Sequence, residues 1–215
     1  IVKHAGTRVP AQQSAFLRYA LGLPLLIPMM VPILRARLTA RQIGLFVVRG
    51  GLHATGVILW FYAMVRIPIA EVTALNYLNP VYVTLAAALV LGEKLAARRL
   101  LAVAAAFLGA LVILRPGVRE VEPGHLAMLG TAAVFAAGYL IAKVLSGELS
   151  ATVIVGMLSL VVTLVLAPFA IAVWVPPTGA ELGWFFLAAM FATAGHYTMT
   201  FAFAAAPVTV TQPVT

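Results

Sequence analysis

Several stretches of this chain, Ile43–Val65, Ile69–Gly92, Ala151–Val175 and Leu182–Pro207, are predominantly apolar for about the thickness of a bilayer. A helix needs roughly 20 such residues to cross ~30 Å of hydrocarbon. Ala151–Val175 does so without a charged side chain. Hydrophobic residues make up 63% of the chain and charged residues 9%, which excludes an ordinary soluble domain. Closed β-barrels also span membranes, but their strands alternate in polarity over about ten residues. Runs such as Leu160–Ala167 do not alternate. The sequence therefore predicts an all-α polytopic membrane protein.

Breakers divide the apolar runs into Gln12–Leu34, Gln42–Val65, Ile69–Gly92, Arg98–Leu114, Gly124–Leu145, Ala151–Val175 and Ala180–Ala206. An eighth segment begins at Pro207. The formal charge of +8 comes from Lys and Arg gathered at segment ends, so nucleic acid is not an expected partner. The dense clusters Arg35–Arg41 and Lys94–Arg99 place those two loops in the cytoplasm. Gln12–Leu34 then runs from outside to inside. There is no cysteine, hence no disulfide or thiolate metal site. The chain starts at Ile1 without a leader pattern and stops a few residues into a helix, which predicts a piece clipped at both ends.

An internal repeat is the second constraint. Ile1, Lys3, Ala11 and Pro28 recur as Ile141, Lys143, Ala151 and Pro168, a shift of 140 residues. Ala63, Pro68 and Ile69 recur as Ala202, Pro207 and Val208, a shift of 139. The repeat unit holds five helices, an odd number, so the second copy is inverted relative to the first. Inverted repeats are typical of secondary transporters, which bind substrate near mid-membrane between the halves. The expected units are 1–116, lacking its first helix, and 117–215, lacking its last two. The complete fold would have about ten helices, with seven and part of an eighth present here.

Ile69–Gly92 carries Pro80 at its middle, where proline removes the hydrogen bond to the Asn76 carbonyl. At 100° per residue Thr73, Asn76, Tyr77, Pro80 and Thr84 share one face. That stripe reads as a substrate-facing wall; the alternative is a polar helix–helix contact. Gln42–Val65 shows a similar face in Arg49, His53, Gly56 and Trp60. Thr193, His196, Tyr197 and Thr200 do the same on Ala180–Ala206. A shift of 140 pairs His53 with Thr193, Gly56 with His196 and Trp60 with Thr200. Thr131, Phe135 and Tyr139 form a weaker stripe that reads as packing. Arg49 reads as a side chain snorkelling to the cytoplasmic end, with a role beside an anionic ligand as the alternative. Arg18 carries the same ambiguity near the outer face. Glu71, in the first turn of its helix, suits the positive end of the dipole, a role preferred over proton coupling. The small face of Arg98–Leu114 reads as close helix packing.

There is no HExxH pair, no Gly-x-Ser-x-Gly elbow and no phosphate-binding loop. With six acidic residues in the whole chain, paired-carboxylate chemistry has almost nowhere to sit. No enzyme activity, metal or cofactor is expected.

The stretch Ile67-Pro-Ile-Ala-Glu-Val-Thr-Ala-Leu-Asn-Tyr-Leu-Asn-Pro80, with Leu91-Gly-Glu-Lys94 and Gly109-Ala-Leu-Val-Ile-Leu-Arg-Pro116, resembles EamA-type members of the drug/metabolite transporter superfamily. Phe16-Leu-Arg18 early in its helix fits the same pattern. The resemblance covers nearly the whole chain, although the second copy stops before its own Gly-Glu pair could appear. It implies ten helices in two inverted five-helix repeats and alternating access to a central cavity. It also implies that Gln42–Val65, Ile69–Gly92, Ala180–Ala206 and the segment from Pro207 line the path.

The resulting expectation is a carrier of small organic metabolites or drugs in a bacterial inner membrane. Its cavity wall would include Trp60, Thr73, Asn76, Tyr77, His196, Tyr197 and Thr200, with Pro80 and Pro207 shaping bends. Lipid and a small-molecule substrate are the expected partners, with a homodimer left open. A membrane-embedded enzyme and a non-transporting or channel-like bundle are the competing readings.

Overall fold

The computed structural model describes residues 8–90, 97–115 and 120–211, and among these every regular element is helical. They are α1 (Ala11–Ala20), a 3-10 segment (Leu23–Met29), α2 (Met30–Arg35), α3 (Ala40–Met64) and α4 (Ile69–Asn76). Then follow α5 (Asn79–Val90), α6 (Ala97–Leu114), α7 (Pro123–Ser146), α8 (Ala151–Ala172), α9 (Gly179–Ala205) and α10 (Val208–Thr211). Ile1, Lys3, the Gly92-Glu93 pair, Lys94, Pro116 and the stretch from Gln212 lie outside the described residues.

Four spans, Ala40–Met64, Ile69–Val90, Pro123–Ser146 and Ala151–Ala172, are long and apolar enough to cross a membrane. The protein is a multi-pass all-α membrane protein. At 27 residues α9 is longer than any of them, and His196, Tyr197 and its threonines dilute its hydropathy.

The expected single helix Gln12–Leu34 is instead broken into α1, the 3-10 segment and α2. Pro24, Pro28 and Pro32 explain it: each lacks an N–H and clashes with the turn before it, which favours short 3-10 pieces. Ala151–Val175 also ends early, at Ala172, because Pro176 disfavours helical backbone at Val175. Gln13 of α1 fixes that exit, donating from Nε2 to the Val175 carbonyl (2.6 Å) and accepting from its N–H (2.8 Å). Ile69–Gly92 divides at Tyr77–Leu78, where Tyr77 N–H bonds the Ala74 carbonyl and Leu78 N–H that of Leu75. Pro80 thus sits in the first turn of α5, a position where its missing N–H costs little.

Capping boxes start three of the long helices, α3, α7 and α9. The Thr39 hydroxyl accepts from Gln42 N–H (3.2 Å) while the Gln42 side chain accepts from Thr39 N–H (3.0 Å). Thr178 and Glu181 repeat the arrangement at the head of α9.

The core is centred on α7, which packs against α3, α4, α5 and α9. Its crossing with α3 is tight at Gly56, where a Cβ would collide with the Phe135 ring. At Gly156 of α8 a Cβ would likewise run into Ile33 of α2. Lys143, expected as a loop charge, caps α9: its Nζ donates to the carbonyls of Phe203 (2.6 Å) and Ala206 (2.8 Å). A cation at the C-terminal end complements both the orphan carbonyls and the dipole.

Candidate functional site

Where α1, α3, α4, α7 and α9 converge they leave a chamber of about 620 Å³, within the usual range for small-ligand sites. Its wall takes Arg18 from α1, His53, Val57 and Trp60 from α3, Asn76 from α4, and Phe135 and Tyr139 from α7. Ala192, Gly195, His196, Thr198, Met199 and Ala202 come from α9. The chamber is mostly apolar with a few convergent polar groups.

The polar groups gather around His53. Its ring stacks on Phe135 (centroids 4.8 Å, 24° between planes) and meets His196 and Tyr19 edge-on at 5.2 and 5.8 Å. Arg18 Nη2 lies 3.5 Å from His196 Nε2, and its guanidinium carbon stands 4.5 Å above the Tyr19 ring. One turn before His53, Arg49 is only 2% exposed, its Nη1 donating to the Ile154 carbonyl at 3.4 Å. It is buried among helices rather than extended to an end.

Of the expected wall residues, the structure brings Trp60, Asn76 and His196 together at the chamber. It places the others elsewhere. Thr73 is exposed and returns its hydroxyl to the Ile69 carbonyl (2.8 Å). Tyr77 is 71% exposed. Tyr197 faces α8, its hydroxyl 2.7 Å from that of Thr152. Thr200 is fully buried and donates to the His196 carbonyl (2.7 Å). At 100° per residue Tyr77 lies about 40° to one side of Thr73 and Asn76 about 60° to the other, so the stripe is wide and only its Asn76 edge turns to the chamber. Phe135 and Tyr139, read as packing, reach the wall, whereas Thr131 donates to the Ala127 and Gly56 carbonyls inside the α3–α7 contact. Pro80 and Pro207 flank the α4–α5 and α9–α10 breaks.

The capping boxes offer a second register for the expected repeat along this helix pair. Thr39 and Thr178, like Gln42 and Glu181, are 139 residues apart, so the shift is already 139 at the head of α3. His53, Val57 and Trp60 then pair with Ala192, His196 and Met199, and Gly56 pairs with Gly195. All six members of the first three pairs line the chamber.

The profile of the EamA-like transporter family matches residues 1–115. A riboflavin transporter of Brucella anthropi is 40% identical over 114 residues, covering 52% of this chain and 40% of that protein. The pseudopaline exporter CntI of Pseudomonas aeruginosa is 31% identical over 208 residues, covering 94% of this chain and 72% of its own. The chain thus spans less than half of the first relative and about three quarters of the second. A solved crystal structure superposes on 99% of this chain and 76% of its own with a TM-score of 0.70 at 19% identity, a likeness of fold.

Proposed function

The chain belongs to the EamA-like transporter family, and from that premise we propose that it carries a small organic metabolite across a bacterial inner membrane by alternating access. The observation that carries this reading is the chamber itself, about 620 Å³ walled jointly by α3 and α7 and by α9 of the later sequence. His53, near the middle of the 25-residue α3, sets it well away from either helix end.

Two repeat units, within 1–116 and 117–215, would enclose it in opposite orientations. The matched capping boxes and the 139-residue pairing of wall positions support that division. Broken helices beside the site favour it further, since transporters build such sites from discontinuous segments. Rocking would turn on the α4–α5 break beside Pro80 and the α9–α10 break beside Pro207. Orientation with Arg35–Arg41 in the cytoplasm follows from the basic cluster.

An embedded enzyme would need convergent carboxylates or an activated nucleophile; among the described residues the wall has no carboxylate, and its Thr198 hydroxyl is turned back to the Ala194 and Gly195 carbonyls. The relatives' names describe transporters, one of riboflavin and one an exporter of pseudopaline. Counterflow of labelled metabolites in proteoliposomes of the full-length protein tests the proposal. Saturable exchange is expected. Its absence across a broad panel, or non-saturable flow, refutes it.

A further inference from the structure

We propose that the chamber selects an organic anion bearing an aromatic ring, with Arg18 holding the negative group beside His196; this rests on the carrier reading of the same chamber. Arg18 is 9% exposed, lines the wall and enters no ion pair among the described residues. Arg49, deeper in α3, has its carbonyl bond to Ile154 and likewise no carboxylate. The glutamates that pair with other side chains do so elsewhere: Glu71 with His125, Glu148 with Arg41 and Glu181 with Arg8. Among the described residues, two guanidinium groups are therefore sunk among apolar helices without a counter-charge.

A buried cation lacking an anion is costly in a low-dielectric interior, and intramembrane charges of this kind mark substrate pathways. An anionic substrate supplies the missing charge. A cationic one would add repulsion to an already unfavourable site. Arginine also offers paired donors that match a carboxylate or phosphate edge.

The rest of the wall is rich in aromatic side chains, which favours a ring: His53 and Phe135 stack on each other, and Trp60 and Tyr139 also line the chamber. Trp60 Nε1 and His53 Nε2 are buried without a hydrogen-bond partner. The competing explanation is structural: Arg18 is pinned over Tyr19 by a cation–π contact and binds nothing.

Three probes of one ring separate these. Indole-3-acetate, indole-3-acetamide and tryptamine carry a carboxylate, a neutral amide and an ammonium on the same indole. Titration calorimetry on the full-length protein in detergent should show the acid binding roughly tenfold or more tighter than the amide, the scale of one charge-assisted hydrogen bond. Tryptamine should bind weakest. Arg18→Gln should erase the difference between acid and amide, and Arg18→Lys should retain the preference. Should Arg18→Gln fail to fold, the order of the three probes on the unmodified protein and on Arg18→Lys decides. Equal binding of acid and amide, a preference that survives Arg18→Gln, or no binding of the acid overturns the proposal. Counterflow in proteoliposomes is read separately. Acid-selective binding without exchange would sink the carrier reading alone, and exchange indifferent to charge would sink only the anion.

Discussion

The Glu71 carboxylate lies 2.6 Å from His125 Nε2, joining the first turn of α4 to the first turn of α7. The tautomer follows from the ring's other nitrogen. His125 Nδ1 accepts from Glu122 N–H at 3.0 Å, so Nε2 carries the hydrogen that Glu71 receives. One imidazole thereby completes a capping box and fixes a neighbouring helix. Glu71 was expected only to meet the helix dipole, because its partner is 54 residues away. Losing a hydrogen bond to a charged group in such a setting costs about 1–3 kcal/mol. His125→Ala and Glu71→Ala should each lower the melting temperature in detergent, and the double variant should lose less than the two losses combined. Strict additivity would mean the pair is not coupled.

Gly56 sets how closely α3 and α7 approach. A methyl there would run into the Phe135 ring, which in turn stacks on His53 in the chamber wall. Overpacking of a tight core commonly costs about 1–3 kcal/mol. Gly56→Val should therefore destabilise the protein and disturb binding together. Gly44, where an added Cβ meets nothing within 4 Å, is the control. A Gly56→Val protein as stable as Gly44→Val would contradict the close crossing.

The long crossings were legible because hydrophobicity over a bilayer's thickness overrides local detail. Irregular backbone was not. Three prolines four residues apart put a 3-10 run in the middle of Gln12–Leu34, which apolar content alone conceals. Around the site, His53, Trp60 and His196 stood out as polar or aromatic positions on apolar helices. Tyr77 misled because a 100° count says which residues are neighbours but not which edge of the stripe turns inward. Arg18 was read by its distance from a helix end, although His196, distant in sequence, lies beside it.

Glu148 gives the structure one acid-sensitive tie. Its carboxylate accepts from the Gln42 side chain (2.9 Å) and from Arg41 (2.7 Å), holding the turn between α7 and α8 to the head of α3. These bonds, Gln42's first and then Arg41's, hold its pKa below the ordinary carboxylate value. A depressed folded-state value means that the tie stabilises above the unfolded pKa, near 4.3. The benefit then fades as pH falls through the lower folded value. Melting curves of the native protein and Glu148→Gln should differ at neutral pH and converge in acid. A gap that persists to the most acid pH the native protein tolerates would count against this assignment.

Gly195 offers a way to fill the chamber without touching the packing. It lines the wall on α9, and an added Cβ there meets nothing within 4 Å. Gly195→Leu should leave the melting temperature unchanged or slightly raised, since leucine is the better helix former by about 0.8 kcal/mol. It should nevertheless abolish or sharply reduce counterflow. Normal exchange in a stable Gly195→Leu protein would mean that substrate passes by another route.

Asn76 and Tyr77 are adjacent in sequence but differ in position, and that makes them the most direct test of the path. Asn76 ends α4 at the chamber wall, whereas Tyr77 begins the break and is 71% exposed. A polar wall group that bonds substrate contributes on the order of 1 kcal/mol, or several-fold in affinity. Asn76→Ala should raise the half-saturating concentration for counterflow by about that factor, and Tyr77→Ala should leave it near the native value. Both variants keep the backbone break, because Pro80 remains. The reverse ranking would place the substrate on the outer side of α4 and remove the chamber from the transport route.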